Sequence, residues 1–300
     1  MQICKTGRLL ELLIICLFLS VAAFGESPIL TGNYLHVGVS ESGGLIDDAF
    51  TVGIDYDKTG TSTWTTWDFL KPGSPFEFYS IGVDNSWKAA GYSTGNSFGA
   101  STTGTSAGTI NSAVTTGAYG DISFQQKLSY ADSAGAIDFQ VQLTNTSTTT
   151  PHALVYARGL DPDQDVYAGG GYPTTNTIVN GNLVIGSAPI TDWTIGIFSD
   201  SAVPHVPTVD APWDQDPYHL LVPHSDGYGD YTINMAWDIG TLAPGASTTL
   251  DFQYRIAETA GEVITPDTTG PVSTIPAPGA ILLAWIGSGL VVSLRRRRMF

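Results

Sequence analysis

The sequence predicts an all-β protein, a large antiparallel β-sandwich of supersandwich-like strand number. Three observations carry this expectation. Apolar residues recur with a period of two through nearly the whole stretch from Leu30 to Ala257, the spacing that puts alternate side chains on one face of a strand. The gaps between apolar runs are filled by Thr, Ser, Gly, Asn and Asp, which form turns readily and helices poorly. No stretch of the body shows three turns of amphipathic helix.

In chain order, residues 34–39, 50–56 and 76–83 open the strand series, and 122–130 follows. Residues 137–143 give the cleanest alternation: Ile137, Phe139, Val141 and Leu143 face one way, Asp138, Gln140 and Gln142 the other. Residues 193–198, 233–237 and 250–256 continue it, the last entered through the tight turn Ala243-Pro-Gly-Ala. Roughly a dozen short strands exceed the seven to nine of one immunoglobulin-like unit, so either one large sandwich or two small ones fits. The Thr/Ser/Gly-rich stretch 93–120 also carries Phe98, Ile110, Val114 and Tyr119. It is therefore read as strands and loops of a single sandwich rather than as a linker.

Both ends of the chain carry export features. Lys5 and Arg8 precede an apolar core at 12–24, and Ala23-Phe24-Gly25 fits a small-x-small cleavage pattern. Residues 1–25 are thus a signal peptide for the Sec translocon, and 26–262 form the body. Cys4 and Cys16 both lie in this leader, so the body has no disulfide framework, thiol nucleophile or cysteine zinc site. Ile15 stands where a lipobox needs a small residue before Cys16. Residues 263–275 read as a Pro/Thr-rich tether. The uncharged segment 280–294 spans roughly 22 Å as a helix, short for a hydrocarbon core of roughly 30 Å. Snorkelling by Arg295, Arg296, Arg297 and Arg298 extends it, and four arginines hold the C-terminus on the cytoplasmic side.

This tail resembles the exosortase-dependent sorting signal called PEP-CTERM. Pro276 and Pro278 match the two family prolines, 280–294 the short transmembrane helix, and Arg295 to Arg298 the basic cluster; Ala277 stands where the motif usually has Glu. The resemblance covers the last 25 residues or so. It implies export through the inner membrane, transient anchoring there, handling by a membrane exosortase, and release to the cell surface or extracellular matrix. It also implies association with exopolysaccharide and biofilm in Gram-negative bacteria.

Charge is segregated along the chain. Of its 12 basic residues, Lys5, Arg8 and the terminal arginines lie outside 26–274, and of its 28 acidic residues only Glu11 does. The body therefore carries 27 acids against 6 bases. Such a surface repels nucleic acid and anionic lipid while favouring solubility and Ca²⁺.

Three groups are candidate sites. Asp161, Asp163 and Asp165 alternate in the run Arg158-Gly-Leu-Asp-Pro-Asp-Gln-Asp. Alternating carboxylates in a loop can converge on a hard cation such as Ca²⁺, or simply form a solvated turn. Residues 167–171 lack the remaining ligands of an EF-hand, and Arg158 is a candidate to neutralise part of the cluster. Trp64 and Trp67, with Trp87 and Tyr92 downstream, offer a sugar-stacking platform or else core aromatics. Asp210, Trp213, Asp214, Asp216, His219, His224 and Asp226 crowd the Pro-rich stretch 206–230. Their His spacing matches no zinc motif, so the choice lies between paired acids for glycoside chemistry and a loop packed on the sandwich. No nucleophile elbow, phosphate loop or dinucleotide fingerprint is present. The expected function is a structural or adhesive surface protein linked to extracellular polysaccharide; the alternatives are a carbohydrate-binding module and a polysaccharide-active enzyme.

Overall fold

The computed structural model describes residues 27–64 and 68–265. The regular elements of the described residues are almost all strands. In order these are β1 (Ile29–Thr31), β2 (Leu35–Gly38), β3 (Ile54–Tyr56), β4 (Glu77–Val83), β5 (Ser86–Gly91), β6 (Ser101–Ala107), β7 (Ile110–Tyr119), β8 (Ile122–Ala131) and β9 (Ala136–Asn145). Then come β10 (His152–Leu160), β11 (Thr174–Asn180), β12 (Leu183–Ser187), β13 (Thr194–Phe198), β14 (His205–Asp210), β15 (Tyr228–Gly229), β16 (Thr232–Leu242) and β17 (Ser247–Ala257). A short 3₁₀ turn (Val166–Ala168) and one helix, α1 (Ala260–Ile264), complete the described elements.

Two antiparallel sheets face each other: a nine-stranded sheet ordered β15-β11-β12-β13-β17-β9-β8-β7-β6 and a five-stranded sheet ordered β14-β16-β10-β4-β5. A third sheet, β1-β2-β3, is tied to the large one where the Tyr130 hydroxyl donates to the Leu30 carbonyl at 2.6 Å. The 93–120 stretch belongs to this single sandwich, since β6 and β7 pair with each other and β7 with β8. Ile137, Phe139, Val141 and Leu143 all point into the core, each burial contributing about 1.5–3 kcal/mol. Phe139 stacks on Phe252 of β17, with ring centroids 4.8 Å apart.

The core also holds a buried ion pair. Glu77 on β4 and Arg158 on β10 are fully enclosed, with Arg158 Nη2 2.7 Å from Glu77 Oε1. Arg158 Nε donates to the same oxygen at 2.8 Å, the Tyr254 hydroxyl donates to it at 3.1 Å, and the Leu45 amide donates to Oε2 at 2.8 Å. The guanidinium lies 4.3 Å from the Phe139 ring centroid. Arg158 is thus committed to Glu77 and does not neutralise the acidic run that follows it.

The five-stranded sheet is covered on both faces, which is why 77–82 of β4 and 232–237 of β16 are buried without a break, polar Glu77, Ser80, Thr232 and Asn234 included. Its outer face carries Phe76, Phe78, Ala157 and Ala236, and Leu220, Leu221 and Trp213 from the segment after β14 pack onto them. The Tyr218 hydroxyl fixes that segment by accepting from the Asn85 amide at 2.9 Å.

Helix α1 extends the ordered body past 262, where the tether was expected to begin at 263. Thr259 and Glu262 form a capping box, and Val263 is buried with Leu183 and Ile185. No described helix is long and apolar enough to cross a membrane. The signal peptide, the segment 280–294 and the sorting-signal residues Pro276, Ala277, Pro278 and Arg295 to Arg298 lie outside the described residues.

Candidate metal centre

Strand β10 ends at Leu160 and the chain enters Asp161-Pro162-Asp163-Gln164-Asp165. Proline forbids continued ladder pairing at 162, and backbone bonds pin the turn: the Asp161 amide donates to the Phe76 carbonyl at 2.8 Å and the Asp163 amide to that of Phe69 at 3.0 Å. The Gln164 side chain donates to the carbonyls of Gly186 and Trp193. The loop is therefore fixed from three sides before any carboxylate does anything.

The three aspartates of this run separate into two roles. Asp165 turns toward the β12–β13 connection, where its oxygens accept from the Ile190 amide at 2.6 Å, the Thr191 amide at 3.1 Å and the Thr191 hydroxyl at 2.6 Å. Its lone pairs are occupied, and it holds a turn rather than joining its two neighbours. The third carboxylate beside Asp161 and Asp163 comes from Asp230, just after β15, and one oxygen from each of the three lies within 4.8 Å of the others. Two oxygens sharing a Ca²⁺ at about 2.4 Å lie no further apart than about 4.8 Å, so the spacing suits such an ion. Asp230 is placed by the pairing of β15 with β11 and by Trp213, whose indole nitrogen donates to the Asp230 carbonyl at 3.0 Å.

Other buried aspartates show what is unusual about Asp161 and Asp163. Asp47 accepts from the amides of Ala49, Thr51 and Val52. Asp68 accepts from those of Gly53, Ile54, Leu70 and Lys71. Asp57 accepts from the amides and hydroxyls of Thr59 and Thr61 and the Thr63 amide, bonds that hold it well below the usual carboxylate range, the Thr59 hydroxyl foremost. By contrast, Asp161 is 1% exposed and Asp163 2%, yet both oxygens of Asp161 and Oδ1 of Asp163 have no donor. Burial, reinforced by Asp163 and Asp230, pushes the Asp161 carboxyl well up, and burial with Asp230 does the same to Asp163. Such a trio needs either protons or a hard cation. The cluster is capable of holding a metal ion, and it is the one group of three or more ligand-type side chains so arranged among the described residues.

The remaining candidates fall elsewhere. Trp64 is half-buried and stacks on His36 at 5.0 Å; Trp67 lies outside the described residues. Trp87 and Tyr92 are partly exposed, Tyr92 stacking on Phe50 at 5.2 Å. In the 206–230 stretch, β14 accounts for the first residues, and the acids serve turns. Asp210 accepts from the Asp214 amide and contacts His224 at 3.2 Å, Asp214 accepts from the Asp216 amide and meets His219, and Asp216 accepts from the Tyr218 amide. The bond to Asp214 holds the His219 imidazole above its ordinary value.

Sequence reasoning found Asp161 and Asp163 but took Asp165 for their partner. Asp230 is distant in sequence and carries no local spacing signal; it bounds the acidic, Pro-rich stretch 206–230 but was not among the candidates named there.

The chain matches no protein-family model and no curated protein. Among solved structures, its fold is similar to that of a bacterial glucoamylase complexed with acarbose: 10% identity, TM-score 0.53, covering 80% of this chain and 33% of that one. A putative aldose 1-epimerase from Escherichia coli K12 is 12% identical with TM-score 0.43, covering 78% of this chain and 100% of that one. The galactosidase domain of an alpha-galactosidase-sucrose kinase, AgaSK, is 9% identical with TM-score 0.41, covering 79% and 41%. The chain thus spans a third of the glucoamylase's length, and at that identity the likeness is one of fold.

Proposed function

We propose that this is an exported, exosortase-sorted protein of the cell surface or extracellular matrix. Its sandwich body serves a structural or adhesive role within extracellular polysaccharide and is stabilised by Ca²⁺ at Asp161, Asp163 and Asp230. The observation that carries the Ca²⁺ assignment is the set of donor-less buried carboxylate oxygens, since a buried acid without donors is costly unless a proton or cation serves it. Burial of Asp161 and Asp163 anchors two ligands within the fold, which suits an ion that stabilises the body. The leader, the cysteine-free acidic body and the Pro-x-Pro, apolar, tetra-arginine tail support export and sorting. Intact-mass spectrometry of surface-exposed protein tests the sorting: a chain ending near Pro276–Pro278 is expected, and Phe300 retained at the surface counts against it.

A second reading, a carbohydrate-binding or polysaccharide-active protein, draws support from the sandwich shared with a glucoamylase bound to acarbose. Release of reducing sugar by the purified chain, abolished in Asp214→Ala or Asp216→Ala, favours an enzyme, and a glycan-array signal without it favours a binding module; silence in both assays leaves the structural role.

A further inference from the structure

We propose that the acidic triad is a cation-bridged saccharide site, in which Ca²⁺ takes a vicinal pair of hydroxyls from a neutral sugar and Tyr172 supplies the stacking face. This rests on the Ca²⁺ reading of Asp161, Asp163 and Asp230 and adds a ligand to it.

The triad is enclosed on one side only. Asp161 and Asp163 are buried, whereas Asp230 is half-exposed, so an ion there meets solvent past Asp230. Ca²⁺ takes six to eight oxygens; three carboxylates binding through one oxygen each leave about half of the positions free, on the open side.

An exposed aromatic stands at that opening. Residue 73 is glycine with φ of +74°, and the space a β-carbon would fill is approached by the Tyr172 ring at 2.6 Å and by Asp163 Oδ2 at 3.0 Å. Ring and carboxylate thus border one point, and a side chain at 73 would occupy it. Tyr172 is 45% exposed. The pairing of Thr174 with Gly229 brings the neighbouring Tyr172 and Asp230 out at the same end of the β11–β15 edge, so the ring and the half-exposed ligand flank one mouth. Tyr228, 63% exposed, is carried on the same edge opposite Thr175.

A flat aromatic face beside a hard cation matches the two sides of a sugar ring. The C–H face packs on the tyrosine, and adjacent hydroxyls replace water on the ion. Charge decides which sugar. Three carboxylates exceed the charge of one divalent ion, and the surrounding body is strongly acidic. Uronates and other anions are repelled, so neutral oxygen donors are favoured.

The test is an array of neutral and uronate-containing oligosaccharides, probed with the full chain in Ca²⁺ and in EDTA, alongside a separate calorimetric Ca²⁺ titration without sugar. Neutral glycans are expected to bind in Ca²⁺ and to lose about tenfold or more of their signal in EDTA. Tyr172→Ala is expected to lose glycan binding by about tenfold while leaving the Ca²⁺ isotherm unchanged. Ca²⁺ uptake with no glycan signal, a signal indifferent to EDTA or to Tyr172→Ala, or a preference for uronates overturns the saccharide site alone. A flat Ca²⁺ titration overturns the cation reading beneath it.

Discussion

Replacing Glu77 by Leu should be among the most damaging single changes in the molecule, although it exchanges a polar side chain for an apolar one in the core. Glu77 and Arg158 have no exposed surface. Removing the carboxylate strands a guanidinium that now has Glu77 Oε1 at 2.7 Å, and it deprives the Leu45 amide and Tyr254 hydroxyl of their acceptor. Breaking a buried pair from one side costs about 3–5 kcal/mol, which for a body of this size lowers the melting temperature by about 10 °C. Arg158→Met leaves the opposite charge stranded and should cost a similar amount. The double variant Glu77→Leu/Arg158→Met removes both charges and should recover most of the loss, since a buried pair replaced by apolar residues is often close to neutral. Urea unfolding of the four proteins measures this directly. Single variants within about 1 kcal/mol of the parent, or a double variant as unstable as the two losses added, would refute the reasoning. Because Arg158 serves Glu77 and not the triad, Ca²⁺ affinity should be unchanged in any of these variants that folds.

Other outcomes follow from the same geometry. Asp161 and Asp163 have folded values raised above their unfolded ones, first by burial and then by neighbouring carboxylates, Asp163 and Asp230 for Asp161 and Asp230 for Asp163. Their contribution to chelator-treated protein is therefore fully present below the ordinary carboxylate value of about 4 and is lost as pH rises toward and past neutrality. Thermal scans across pH in EDTA should show this decline and Ca²⁺ should reverse it; a rise in stability over that range would contradict it. Asp165→Asn should destabilise by about 1–3 kcal/mol, because an amide cannot accept on both sides of the Ile190–Thr191 turn, and chemical denaturation reads the loss. Phe139→Ala, which empties a ring site between Phe252 and Arg158, should cost about 3–5 kcal/mol in the same assay. Thr259→Ala should cost about 1 kcal/mol by removing one half of the α1 capping box, and limited proteolysis should then open the chain near Val263.

The strands were legible because most are half-buried, and a half-buried strand writes its burial into every second residue, as in β9 with Ile137, Phe139, Val141 and Leu143. Strands β4 and β16 were also legible by alternation, as in Ile233, Met235 and Trp237, but that both their faces are buried was not, because the second cover comes from the segment after β14. Helix α1 was missed because five residues are too few to show a 3.6-residue period, although Thr259 and Glu262 spell a capping box. Arg158 lies three residues before Asp161 in sequence, yet strand alternation sends it into the core against Glu77, a partner that only the β4–β10 register supplies. Asp161 and Asp163 were legible as alternating acids. That Asp165 diverges from them depends on the 3₁₀ turn it begins and on the donors of residues 190 and 191. Asp230 reaches the site through the β11–β15 pairing, a long-range event with no local trace.

The most direct test of the Ca²⁺ centre is calorimetric titration of chelator-stripped protein and of two variants, Asp230→Asn and Asp165→Asn. One ion per chain is expected, lost or weakened by about tenfold or more in Asp230→Asn and retained in Asp165→Asn. No binding by the parent protein, or binding that survives Asp230→Asn and disappears in Asp165→Asn, would contradict the assignment of Asp161, Asp163 and Asp230 as the ligands.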